Sequence, residues 1–432
     1  MKIDRGLLIA AAVAAGLSAF SADGAAAQRG RGSLPETTCQ NARASDHARR
    51  AVDAYNRSLI ARGPAKLPFL QDALENASQG ITADAGNPYH HLIRGQSLMG
   101  LAALHGQPAG AEYTQFVPGA GATIDATLAL REGLAALKKA VELCPEFAAE
   151  ETDQRATAAA ATFQLGLDRY TANDTLGAIS LWEAVSALDS TNVTAVFNLG
   201  VLHSQRGDAV AATAAYRKVL AMTTAGDSAS ADQRAAASNA LLTGGARLFN
   251  EDKFVEAAEA FAYLHTIDPA NRDAWYNHAL ALYKLERWQE LVPVGARLVQ
   301  LDPLNYNAQI ILFNAYKGLS DAAKARNDAA TETSNRALAL SVLERAEALP
   351  VQVDGVQTDG STGSVKITGK VGGGSATAGS PVRIEFTLVG ASGDVGSSVV
   401  TIAAPAKETT ADFEVSIPVT APATSWRYRL AP

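Results

Sequence analysis

The chain has 432 residues, of which 47% are hydrophobic and 19% charged, with a formal net charge of −7 and a pI near 5.6. That length exceeds one ordinary hydrophobic core, so two or more folded units are expected, and the composition is globular rather than disordered. The acidic balance, without a Lys/Arg stripe interleaved with aromatics, argues against nucleic acid as a partner.

Residues 1–27 have the three-part layout of an export signal. Lys2 and Arg5 precede an apolar run from Leu7 to Phe20, and Ala25 to Ala27 stand before Gln28. Asp4 is unusual in such a signal. The run of 14 residues falls short of the roughly 20 that span a bilayer, so cleavage is expected rather than anchoring. No Cys follows closely enough for lipid attachment, and no later stretch is long and apolar enough to cross a membrane. The expectation is a periplasmic or secreted protein with no integral membrane segment after signal removal. Residues 28–45 read as a flexible lead-in. In an exported protein Cys39 and Cys144 can pair, tying that lead-in to a helix end, or remain two unlinked thiols. Their spacing does not decide.

From Asp46 to Leu349 the apolar residues recur with helical period, broken by short Gly/Asn/Pro/Asp turns. Gly166 and Gly200 lie 34 residues apart, as do Ala178 and Ala212, Trp182 and Tyr216, and the Asp-Pro pairs at Asp268 and Asp302. Gly200 and Gly245 differ by 45, which is 34 plus the 11 residues of the polar insertion at 227–237. This period and residue order resemble the tetratricopeptide repeat (TPR) family. The match is best over 159–192, 193–226, 238–271, 272–305 and 306–349. In 272–305, Leu291 and Gly295 stand where Ala and an aromatic are usual. Upstream, 87–104 and 123–147 look like two helices of one unit split by the loop 105–122, and 46–81 like a degenerate unit.

The resemblance implies six or seven pairs of antiparallel helices stacked into an α-α superhelix over 46–349. Glycine inside a helix costs about 1 kcal/mol against alanine. Gly200 and Ala212 are therefore expected to be notches where two helix axes close in. The family lines its concave face from the first helix of each repeat. In this register those positions include Phe163, Leu167, Tyr170, Phe197, Val201, Leu242, Phe249, Tyr276, Leu280 and Tyr283, with Gln205, Asn239, Asn250, Asn314, Lys284 and Lys317 scattered among them. They form an apolar, aromatic groove without the basic ladder that would hold a terminal carboxylate. A protein or peptide segment with apolar anchors is the expected guest.

After Pro350 the pattern turns to period two, in "SVKITGKV", "PVRIEFTLV", "SSVVTIAA", "ADFEVSIPV", "SWRYRL" and the weaker "VQVDGV". Five or six strands over 350–432 predict a small antiparallel β-sandwich. Phe386, Leu388 and the following turn are similar to an FxLyD-type domain, although Val389 and Gly390 depart from its motif.

Chemistry has little support. His90 and His91 are adjacent, so on a helix they diverge and share no metal face. No His-Glu-x-x-His or Cys-x-x-Cys occurs. Ser97 lies in a helix rather than a strand–helix elbow, and Cys144 sits at a helix end, where the dipole raises a thiol pKa. No cofactor, metal or catalytic residue is expected. The reading is an exported non-catalytic scaffold of the cell envelope. The alternatives are glycan or peptidoglycan-fragment binding through the β region, at Trp426 or Tyr428, and an enzyme with no recognisable motif.

Overall fold

The computed structural model describes residues 33–361, 363–390 and 393–432. The expected export signal at 1–27 lies outside them. Among the described residues no helix is long and apolar enough to cross a membrane. The described residues are mainly helical, with fifteen α-helices followed by two small antiparallel sheets. It divides into two compact units, the first running to Gly207 and including Lys218–Arg234, the second comprising Asp208–Arg217 and Ala235–Pro432.

In chain order the helices follow one another as seven successive pairs. They are α1 (Asp46–Ile60) with α2 (Leu67–Ala83), then α3 (Pro88–Ala102) with α5 (Ala126–Leu143), the short α4 (Ala111–Phe116) lying in their connecting loop. Next come α6 (Ala148–Thr171) with α7 (Thr175–Leu188), α8 (Val193–Arg206) with α9 (Ala209–Met222), and α10 (Ala231–Asn250) with α11 (Phe254–Ile267). The last are α12 (Arg272–Lys284) with α13 (Trp288–Leu301) and α14 (Tyr306–Ala325) with α15 (Ala329–Glu347).

The repeat is visible in its turns. Asn173, Gly207, Asp252 and Glu286 all take positive φ, at 62°, 86°, 58° and 54°. They are spaced 34, 45 and 34 residues apart. These four turns between paired helices each hold one left-handed residue at the same register, and only Gly207 takes it without a Cβ penalty. Starts recur as well. Asn271 and Asn305, 34 apart, cap α12 and α14 by accepting from Ala274 N and Ala308 N.

The notches face aromatic rings. A Cβ on Gly166 would stand 2.7 Å from Cδ1 of buried Trp182, and one on Gly245 would stand 2.7 Å from Cε1 of buried Phe261. Between α12 and α14 the roles are exchanged. Gly295, on α13, is the notch, and its absent Cβ would lie 3.3 Å from Cα of Leu312 on α14. In the first unit α3 and α5 cross at Gly95 and Gly133, where a Cβ on Gly95 would come within 3.0 Å of the Gly133 carbonyl. The insertion at 227–237 is not all loop, since α10 already begins at Ala231. Its alanines favour helix, and Arg234 donates to the carbonyls of Leu220 and Thr223 at the end of α9 (2.9 and 2.6 Å).

Cys39 and Cys144 are joined by a disulfide, with Cα atoms 5.8 Å apart. Around it the lead-in is fixed by hydrogen bonds. Tyr89 Oη donates to Pro35 O, Thr37 Oγ1 and Thr38 N donate to the Glu146 carboxylate, and Asn41 Nδ2 donates to Leu143 O. Residues 33–45 therefore have partners that the polar sequence did not reveal.

The tail forms six strands, β1 (Val351–Ser361), β2 (Ser364–Gly373), β3 (Pro381–Gly390), β4 (Gly393–Ala403), β5 (Thr410–Pro418) and β6 (Ala423–Leu430). They pair antiparallel in two sheets of order β1-β2-β5 and β4-β3-β6. Alternate residues, including Ile367, Val371, Ile384, Phe386, Phe413, Ile417 and Tyr428, share one core. Leu430 continues the alternation of β6 but stays exposed at the strand's end.

Candidate partner-binding surface

The first helices of the repeats present two kinds of side chain. On α12, Ala274, Ala279, Ala281 and Leu282 are fully buried, whereas Tyr276 and Leu280 are half-buried and Tyr283 is 39% exposed. On α10, Leu241, Gly245 and Leu248 are buried, and Leu242 and Phe249 are half-buried. On α6, Phe163, Leu167 and Tyr170 are half-buried. Helical spacing puts the two sets on different faces, one turned to the core and one left toward solvent.

Two of the expected groove residues do not fit. Phe197 and Val201 on α8 are 6% and 1% exposed, so their side chains are core and offer no surface to a guest. Beside them Asn198 is fully buried, and neither its amide nitrogen nor its amide oxygen has a hydrogen-bond partner. Periodicity could not foresee this, because it ranks faces of one helix and not what covers them.

The partly exposed aromatics are braced. Phe249 meets Phe254 edge to face with centroids 5.1 Å apart, and Tyr283 meets Trp288 in the same way at 5.5 Å. Phe163 and Tyr170 both lie against Trp182, whose indole N–H donates to Phe163 O at 3.3 Å. Each of these four rings is thus held by a neighbour across its helix turn or within its pair.

At the other end of α12 the helices of the second unit meet the sandwich. Arg272 lies 3.6 Å over the Trp426 ring. It donates to Asp302 Oδ1 (2.9 Å), Leu301 O (3.2 Å) and Trp426 O (2.7 Å). Both charged side chains are largely buried, 12% and 14% exposed. Burial pushes the Asp302 carboxyl up, against the opposing pull of Arg272. Leu304 belongs to the sandwich core, and its carbonyl accepts from Val353 N at 2.9 Å. Arg272 and Leu304 thereby satisfy polar groups on β6 and β1, strands with only one sheet neighbour each.

A cavity of about 530 Å³ opens at this junction, lined among others by Asp273, Tyr276, Asn307, Asp354 and Thr358. Burial, aided by the Asp354 charge, raises the Tyr276 hydroxyl. Tyr276 therefore faces the junction with β1 as well as the side of α12 that carries Leu280 and Tyr283. The same contacts bear on the glycan alternative. Tyr428 is 5% exposed, and Trp426 gives one face to Arg272, so the two rings do not form an open stacking platform.

Among the described residues the one His/Cys/Asp/Glu cluster tight enough for a metal is Cys39, Cys144 and Glu146. The disulfide consumes both thiols. Helices α11 and α12 also bring together a pair of histidines that the sequence does not mark. His265 Nε2 lies 2.9 Å from His278 Nδ1, and the His265 ring stacks on Trp275 with centroids 3.7 Å apart. No spacing rule would have found them, since 13 residues and a turn separate the two.

No family model matches the chain, and no curated relative does. Solved structures do. The crystal structure of MamA protein is 18% identical, covers 44% of this chain and 89% of its own, and gives a TM-score of 0.26. That of YrrB, described as a TPR protein with an unusual peptide-binding site, is 15% identical, with coverages of 50% and 93% and a TM-score of 0.25. MamA from Desulfovibrio magneticus RS-1 is 16% identical, with coverages of 44% and 97% and a TM-score of 0.22. Identity and TM-score are both low, so the fold stands on the helices and strands described above.

Proposed function

We propose that the protein is an exported, non-catalytic scaffold that holds protein or peptide partners of the cell envelope through apolar anchors on the first helices of its repeats. One observation carries the reading. Helix α12 sends its small residues and Leu282 into the core yet leaves Tyr276, Leu280 and Tyr283 partly accessible. Large rings braced by neighbours lose little entropy on contact, which suits them as anchors for a guest. Fully buried rings such as Trp182, Tyr113 and Phe261 show that this chain can bury aromatics where only packing is needed.

A photo-crosslinking residue placed at Tyr283 or Leu280 in cells tests it. Adducts with a defined partner are expected there and not from Leu340, an exposed apolar position on α15. Equal adducts from all three sites would discard the anchor reading. The mass of the mature protein tests export, which requires a chain beginning at Gln28.

A further inference from the structure

We propose that His265 and His278 form a proton-sharing pair that loosens the packing of α11 on α12 under acid, and so withdraws the guest-facing side of α12. The consequence for a guest rests on the function proposed above. The structural change does not.

The geometry specifies how many protons the pair holds. His265 Nε2 and His278 Nδ1 are 2.9 Å apart, so one must carry a hydrogen and the other a lone pair. The ring centroids are 5.0 Å apart, which sets the two nitrogens nearly head-on, not converging on a third point. A metal between head-on nitrogens would need about 4 Å, from two bonds of about 2.0–2.1 Å. The contact fits a proton. One extra proton puts a net charge into a half-buried contact between two helices. A second sets N–H against N–H and breaks the bond.

The surroundings oppose that charge. From α11 comes His265 itself. From α12 comes Trp275, whose indole N–H donates to Pro269 O at 3.1 Å and so fixes the ring under His265. From the α12–α13 turn comes Arg287, a cation felt at His278, paired in turn with Glu290 of α13 at 2.6 and 2.7 Å. Burial first, then His265 and Arg287, hold His278 down at about 4, and burial lowers His265 as well. His278 lies on α12 between Tyr276 and Leu280 in sequence, so a shift of the helix moves both.

The stack supplies its own probe, because an imidazolium on an indole quenches its fluorescence. In the full-length chain, emission is followed from about pH 7.5 to about pH 4.5, with Trp275→Phe subtracted to isolate that ring. Hydrogen exchange, corrected for its intrinsic pH dependence, is read on peptides of α11–α12 and of α14–α15. The expected result is quenching on acidification with about a tenfold loss of protection in α11–α12 over the same span, and little in α14–α15. His265→Gln keeps a hydrogen-bonding side chain that does not titrate, and the response should vanish. His278→Asn gives the same reading should the first variant fold poorly. A wild-type chain with no Trp275 quenching or no local loss of protection overturns the inference, as does a glutamine or asparagine variant that responds like wild type. No guest is used, so this experiment and the crosslinking one fail separately.

Discussion

Gly245 and Phe261 are shaped to each other. A Cβ on the glycine would stand 2.7 Å from Cε1 and 2.9 Å from Cζ of a ring that is fully buried. Helix propensity alone would make Gly245→Ala stabilising by up to about 1 kcal/mol, but overpacking against a ring that cannot retreat costs about 1–3 kcal/mol. The overlap should win. Gly245→Ala is expected to lower stability in urea denaturation, and Gly245→Ala combined with Phe261→Leu to recover part of the loss, with a coupling of at least about 0.5 kcal/mol.

The left-handed turn residues allow the opposite result. Glu286 holds φ at 54° and is exposed, a conformation that costs an L-residue about 1–2 kcal/mol. Glu286→Gly relieves this and gives back part of it as unfolded-chain entropy. A gain of about 0.5–1 kcal/mol is expected from the denaturation midpoint, whereas Gly207→Ala should lose stability.

At the junction, Arg272→Ala removes the partner of a carboxylate that is only 14% exposed. Breaking a buried pair in this way costs about 3–5 kcal/mol, whereas replacing both members by apolar residues is far milder. Calorimetry should show Arg272→Ala much less stable than wild type, and Arg272→Met with Asp302→Leu close to it. Equal losses in the two variants would show that the ion pair is not what matters there.

Stability should also fall with acid. His278 ionises near 4 when folded, against an ordinary value of 6.5, so the unfolded chain binds protons more readily. Stability from this group is full above about pH 6.5, declines between about 6.5 and 4, and levels off below, a loss on the order of 3 kcal/mol. The slope of unfolding free energy against pH should flatten in that window in His278→Asn.

The Cys39–Cys144 bond closes 105 residues, a span for which loss of the crosslink costs about 3–5 kcal/mol. Cys39→Ser with Cys144→Ser is expected to melt well below wild type, and added reductant to affect wild type only. Identical melting of the two proteins without reductant would mean that the hydrogen bonds of the lead-in suffice.

The helical period, the repeat register and the strand alternation were legible because each is a rule about neighbours along one element. The expectation that small residues mark helix crossings, made at Gly200 and Ala212, rests on the same kind of rule, and the structure shows such notches at Gly166 and Gly245, each against a ring. Where the pattern lapsed, at Leu291 and Gly295, sequence could report the lapse but not its remedy, in which α13 yields room to Leu312 of the next pair. The groove was read less well. Register placed Phe197 and Val201 beside Tyr276 and Leu280 as equals, and the fold buries the first two.

By itself, then, the order of residues determined which segments are helix and strand, how often the pair repeats, and which face of each helix is greasy. Those properties follow from bond rotations and side-chain spacing within a few residues. Tertiary structure alone decided that Cys39 meets Cys144, that Arg272 lies over Trp426, that His265 shares a proton with His278, and which apolar side chains stay uncovered. Each depends on where chain segments distant in sequence come to rest, and local spacing carries no record of that.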